Sequence, residues 1–144
     1  MTVEYRKGDI FTTEINVIGH GCNCVGSMGA GIALQVIKRN PEMLTEYQHR
    51  CHQQQFKPGA AWLWTNPTTG KSVLNLGTQY FPGANARLAW VKEALTAALS
   101  LNLEAFAIPR IGAGIGGLDW EEVKAAIEEL SDQFPTTKVV IYEL

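Results

Sequence analysis

Apolar and polar residues alternate around Val3 and Tyr5, and a β-branched run follows at Ile15-Asn16-Val17-Ile18. These patterns predict short strands over about 2–6 and 14–20, with Gly8-Asp9 turning the chain between them. From Gly31 the spacing becomes helical through Ile32, Leu34, Val36 and Ile37. Pro41 interrupts it before a second helix through Tyr47 and Cys51. Ala61-Trp62-Leu63-Trp64 and Ser72-Val73-Leu74-Asn75-Leu76 flank the turn-rich Asn66-Pro67-Thr68-Thr69-Gly70, which predicts an antiparallel hairpin.

Beyond Phe81-Pro82-Gly83, the residues Leu88, Val91, Leu95, Ala98 and Leu99 recur at helical spacing and predict a long amphipathic helix to about residue 101. Ala105-Phe106-Ala107-Ile108 is a short apolar run ended by Pro109, as in a central strand buried on both faces. Asp119-Trp120-Glu121-Glu122 carries the signals of a helix start, and Lys138-Val139-Val140-Ile141-Tyr142 predicts a last strand. Strands followed by helices, with one hairpin, predict an α/β fold: a three-layer α/β/α sandwich around a mixed central sheet.

Length and composition fit that picture. The 144 residues, 46% hydrophobic and 18% charged, suit one domain spanning 1–144 with a single core. No apolar run approaches the roughly 20 residues of a membrane span, so no membrane partner is expected. The first residues lack the pattern of a secretory signal, which leads to the expectation of a cytoplasmic protein. An odd number of cysteines, 3, with Cys22 and Cys24 two residues apart, suggests reduced thiols. A net charge of -2 argues against broad electrostatic binding of DNA or RNA.

The strongest chemical signal is a pair of glycine clusters, Gly26-Ser27-Met28-Gly29-Ala30-Gly31 and Gly112-Ala113-Gly114-Ile115-Gly116-Gly117. Each falls between a predicted strand and a predicted helix, where open α/β sheets bind ligands. Backbone amides there can approach a phosphate closely without basic side chains. One such cluster could serve turns and caps alone; two on neighbouring strand ends can grip a diphosphate from opposite sides. Neither matches the P-loop or the dinucleotide fingerprint.

Three stretches together carry a family resemblance: Lys7-Gly8-Asp9-Ile10-Phe11, the run from His20-Gly21-Cys22-Asn23-Cys24 through Gly31-Ile32-Ala33-Leu34-Gln35, and Pro109-Arg110-Ile111 through Leu118-Asp119-Trp120. Nearly the whole chain resembles the macrodomains. It is most similar to the branch with terminal ADP-ribose glycohydrolases, DNA ADP-ribosyl-glycohydrolase antitoxins and the yeast ADP-ribose 1''-phosphate phosphatase.

The resemblance implies an ADP-ribose cleft and no cofactor. Asp9 is then expected to accept from the adenine amino group, with the Ile10 amide nearby and Tyr142 and Leu144 bordering the base. The diphosphate is expected along the second loop, at Pro109, Ile111, Gly112, Ala113, Gly114, Ile115, Gly116, Gly117 and Leu118. Asn23 and the backbone of Met28, Gly29, Ala30 and Gly31 are expected around the distal ribose, facing Thr78. ADP-ribose or a derivative is the expected partner, and nucleic acid only if it carries ADP-ribose; the oligomeric state is left open.

The reacting groups are less clear. The glycohydrolase branch places a lysine where this chain has Gln79, and some members a carboxylate where it has Gly116; neither replacement supplies an amine or a base. His20 and Asn23 are the remaining candidates for catalysis, His20 as acid or base or else as a strand-end histidine in a structural hydrogen bond. Asp119 reads as a helix cap. His20, Cys22 and Cys24 lack the spacing of a zinc site. The four tryptophans are too scattered to form a stacking platform, whereas the tip Gln79-Tyr80-Phe81-Pro82-Gly83 either closes over a ligand or anchors the next helix through Phe81. The leading expectation is a hydrolase acting at the distal ribose of an ADP-ribose derivative, first of all an ADP-ribose 1''-phosphate phosphatase, which His20 favours; the alternatives are release of ADP-ribose from protein or nucleic acid and non-catalytic reading of ADP-ribose.

Overall fold

The computed structural model describes residues 2–144. The chain runs β1 (Val3–Lys7), a 3-10 turn (Ile10–Thr12), β2 (Val17–Cys22), α1 (Gly31–Arg39), α2 (Met43–His52), β3 (Ala61–Thr65), β4 (Ser72–Gly77), α3 (Leu88–Leu99), β5 (Ala105–Ile108), α4 (Trp120–Asp132) and β6 (Lys138–Glu143). The sheet has 6 strands in the order β1-β6-β5-β2-β4-β3. All neighbours pair in parallel except the β3–β4 hairpin. The predicted mixed sheet, the hairpin and the interior place of β5 are all present.

Period-two alternation divides the core between the two faces. Leu74 and Leu76, Phe106 and Ile108, and Val139 and Ile141 pack with Val91, Leu95, Val123 and Ile127 of α3 and α4. The opposite residues do the reverse: Cys22, Trp62 and Val73 pack with Val36 of α1 and with Met43, Tyr47 and Cys51 of α2. Ala107, Val140 and Tyr142 extend that second face toward Ile10 and Ile32. Helices therefore cover both sides of the sheet. None of the described helices is long and apolar enough to cross a membrane.

The second strand was placed too early by the pattern. It starts at Val17 and continues through His20 to Cys22. Glycines at 19 and 21 look like strand breakers, but a Cβ at Gly19 would stand 2.8 Å from Ile108 and one at Gly21 2.7 Å from the Thr78 hydroxyl. They are the residues that let three parallel strands come together here.

Candidate functional site

A cleft of about 820 Å³ opens at the C-terminal ends of β2, β4, β5 and β6, within the usual range for small-molecule sites. Its position follows from the topology. The helix after β2 lies on one face of the sheet and the helices after β4 and β5 lie on the other, so the loops diverge and leave a crevice.

Asn23 organises the first wall. Its Nδ2 donates to the Ser27 carbonyl at 2.6 Å, while its Oδ1 accepts from the amides of Val25 at 3.1 Å and Ser27 at 3.3 Å. The Tyr47 hydroxyl lies 2.7 Å from the Asn23 carbonyl and 2.9 Å from Oδ1. Asn23 borders the cleft with its amide already engaged in shaping the loop, as a positioning residue. Met28 does not reach the cleft: it is buried in the core under α1 and α2. Gly29, Ala30 and Gly31 do line it. Ala30 has no side-chain cap to offer, and the first bond of α1 runs from the Leu34 amide to the Ala30 carbonyl. The amides before Leu34 are thus left to a ligand or solvent, at the positive end of the helix.

The second wall contains two kinds of glycine. Gly112 has a φ of +75° and accepts from the Leu118 amide at 2.8 Å, closing the loop on itself. A Cβ at Gly116 would meet Ala86 and the Gly112 carbonyl, both at 2.8 Å, and one at Gly117 would meet Ala84 at 3.0 Å. A Cβ at Gly114 has nothing within 4 Å. Gly112, Gly116 and Gly117 let the loop fold and let the segment after β4 approach, whereas Gly114 keeps space free in the cleft. Ile115 reaches across it: its Cδ1 is 2.9 Å from where a Gly31 side chain would begin. Pro109, Ile111, Gly112, Ala113, Gly114, Ile115 and Gly116 line the cleft; Gly117 and Leu118 do not, and Leu118 packs toward the core under α3 and α4.

At the far end stand Tyr142, Glu143 and Leu144. Arg110 Nη2 lies 2.9 Å from Glu143 Oε1, and its guanidinium sits 5.3 Å from the centre of the Trp120 ring. Arg110, Trp120 and Glu143 were not anticipated as wall residues. Asp9 and Ile10 were, and are absent from the cleft wall. The Asp9 carboxylate accepts from the Phe11 amide at 2.9 Å as the cap of the 3-10 turn, and Ile10 is buried.

Thr78 and Gln79 continue β4 into the cleft. Gln79 Nε2 donates to the carbonyls of Phe81 at 2.6 Å and Gly83 at 2.9 Å, which spends both amide protons on the loop. Phe81 is 59% exposed, so it does not anchor α3.

His20 is removed from candidacy as an acid or base. It is 0% exposed and lies in the core beside Cys22, with Nε2 2.8 Å from Asn75 Oδ1. Burial holds its pKa down to about 4. Cys22 Sγ lies 3.4 Å from Nε2 and 3.8 Å from Nδ1. A thiol on the lone pair of one ring nitrogen would be roughly 5 Å from the other, so this sulfur rests on the ring face and gains no base. Burial also pushes the Cys22 thiol up. Asp119 Oδ1 accepts from the Glu121 amide at 3.3 Å and caps α4. Among the described residues, no three His, Cys, Asp or Glu are disposed to hold a metal.

Two electrostatic facts stand out. Residues 21–34, 77–88 and 109–118, which build the walls, contain no Asp or Glu although the chain has 14. They do contain Arg87 and Arg110. The glycine loops therefore offer amide dipoles to an anion without a nearby carboxylate, while Arg110, which lines the cleft, is paired with Glu143 at its far end. Its titratable side chains are Arg110, Tyr142 and Glu143 at one end and the buried Cys22 at the other.

The sequence profile of the Macro domain family matches residues 20–127. The DNA ADP-ribosyl glycohydrolase of Mycobacterium tuberculosis is 34% identical over 97% of this chain and 42% of its own length. The chain thus spans less than half of that relative. The ADP-ribose 1''-phosphate phosphatase of Candida albicans is 26% identical, with 90% of this chain and 94% of that protein aligned. Among solved structures, the macrodomain of Mycobacterium tuberculosis DarG superposes with a TM-score of 0.89 at 31% identity, covering 99% of this chain and 97% of that one.

Proposed function

We propose, from the premise that this chain belongs to the Macro domain family, that its cleft binds the ADP-ribosyl group and that the protein hydrolyses the bond joining that group's distal ribose to a macromolecule. The observation that carries the binding is the pair of acid-free glycine loops facing each other across the cleft. In this reading the diphosphate lies between the amides of 29–33 and 112–116, the adenine lies toward Tyr142 and Leu144, and the distal ribose lies toward Asn23, Thr78 and Gln79.

Support for release from a macromolecule comes from two directions. The relative with 34% identity over 97% of the chain is named for such a reaction. The competing phosphatase reading drew its acid or base from His20, which the core encloses. With no lysine at 79 and no carboxylate at 116, the protein's part is to hold C1'' of the ribose and a water in line. The bond from C1'' to the leaving group breaks with its electron pair going to that group, water adds at C1'', and the proton the water loses passes through the substrate's own phosphate to the departing group. Positive charge developing on the ribose is stabilised by that diphosphate, which the loop amides fix in place.

A second reading, a non-catalytic reader, is favoured by one fact: the distal end carries no titratable side chain except the buried Cys22. The test separates the readings. Calorimetry should show ADP-ribose binding far more tightly than AMP. Incubation with ADP-ribosylated DNA and with ADP-ribosylated peptide should then free ADP-ribose. Binding without release from either substrate selects the reader, and phosphate release from ADP-ribose 1''-phosphate alone selects the phosphatase. No binding removes the assignment altogether.

A further inference from the structure

The loop after β4 is braced by its own amide side chains: Gln79 holds the carbonyls of Phe81 and Gly83, and the exposed Asn85 donates from Nδ2 to the Pro82 carbonyl at 2.7 Å. The Cys24 amide fixes the Tyr80 carbonyl at 2.9 Å, tying the tip to the first cleft loop. The large apolar side chains face outward, Tyr80 44% and Phe81 59% exposed. Their rings meet edge to face, 4.8 Å between centres at 69°. Two adjacent aromatic rings exposed on a loop whose backbone is held by hydrogen bonds mark a contact surface.

We infer that Tyr80 and Phe81 form a stacking platform for an unpaired nucleobase of the strand that carries the ADP-ribosyl group. The inference rests on the reading of the cleft given above, because Gln79, Pro82 and Gly83 of the same loop line the end assigned to the distal ribose. The leaving group emerges there, next to the rings. Two features favour a nucleobase over an apolar peptide side chain. An edge-to-face pair leaves a flat ring face open instead of a groove, which matches the π-face that every base presents. The segment after β4, residues 77–88, carries Arg87, whose amide donates to the Thr78 carbonyl at 3.2 Å, and no Asp or Glu, so it attracts the phosphates of a strand.

The test measures binding, so it works whether or not the bond is cut. Fluorescence anisotropy would compare a short single-stranded DNA carrying one ADP-ribosyl group on a base with an ADP-ribosylated peptide; calorimetry would measure free ADP-ribose. Neither Tyr80 nor Phe81 lines the cleft. Tyr80→Ala and Phe81→Ala are expected to weaken the modified DNA by roughly fivefold to a hundredfold, leaving the peptide and free ADP-ribose as in the wild type. Phe81→Trp should restore the DNA affinity. Unchanged DNA affinity in both alanine variants overturns the platform while the cleft assignment stands, as does an equal loss on the peptide. Failure of the wild type to bind free ADP-ribose overturns both.

Discussion

His20 Nε2 lies 2.8 Å from Asn75 Oδ1, with both side chains wholly enclosed between the sheet and the α1–α2 layer. Asn75 Nδ2 is directed at the Trp62 carbonyl, 3.3 Å away, which leaves Oδ1 as the acceptor and the imidazole as a neutral donor.

This arrangement makes stability depend on pH. In the unfolded chain the histidine takes a proton near its ordinary value of about 6.5; in the fold burial holds it down to about 4. Between those values the unfolded state binds the extra proton, so stability falls as pH drops from about 6.5 toward 4 and is level above. Roughly 2 kcal/mol is lost by pH 5. Urea unfolding at pH 7.5 and 5.0 should reveal it in the wild type, and His20→Gln, though less stable throughout, should lack this slope. Equal slopes in the two proteins would refute it.

The glycines give a second expectation. A side chain at Gly114 meets nothing within 4 Å, while one at Gly116 meets Ala86 and the Gly112 carbonyl at 2.8 Å. Gly114→Leu should keep its melting temperature close to the wild type and lose ADP-ribose affinity at least tenfold, because the new side chain occupies the ligand's space. Gly116→Asp should lose roughly 1–3 kcal/mol of stability without gaining any release of ADP-ribose. Calorimetry beside thermal melts would separate the two effects; a stable Gly116→Asp with faster turnover would show that the loop yields.

These contrasts mark what could be read in the chain. The strands and helices were legible because each buries a periodic apolar face, and both glycine loops were legible because they interrupt that periodicity. His20 was also within reach: strand alternation that buries Cys22 under α1 buries His20 with it. The Met28 backbone was expected at the ligand because a glycine-rich loop has no period to show that this residue turns inward as a whole. Arg110 and Trp120 meet in the wall from opposite ends of the second loop, guanidinium over ring, a tertiary property. Gln79 bonds to backbone carbonyls of its own loop, and no residue pattern encodes such partners.

Asp119 offers a control on the acid–base question. Its carboxylate accepts from the Glu121 amide at 3.3 Å and starts α4. Asp119→Ala should cost about 0.5–2 kcal/mol in chemical denaturation, while the rate of ADP-ribose release, measured below the new melting point, stays near the wild-type value. A loss of rate by a hundredfold or more in a folded variant would make Asp119 a base after all.

Gln79 stands where the family resemblance implies a lysine, and the structure gives that difference a consequence. Both Nε2 protons are committed to the carbonyls of Phe81 and Gly83, so the amide presents only its oxygen as a free group. Gln79→Glu keeps the shape, removes both donors and sets a negative charge beside two carbonyl oxygens. The loop should loosen, seen as faster amide exchange at Tyr80 and Phe81 and at least fivefold weaker binding of modified DNA. A lysine has three donors on one nitrogen, enough to hold the same carbonyls when no substrate is bound and to turn toward the ribose when one is. Gln79→Lys should therefore keep the loop ordered and raise the rate of ADP-ribose release at least tenfold over the wild type, measured in single turnover. If the lysine variant keeps the loop and gains no rate, what this site lacks is something other than an amine at position 79.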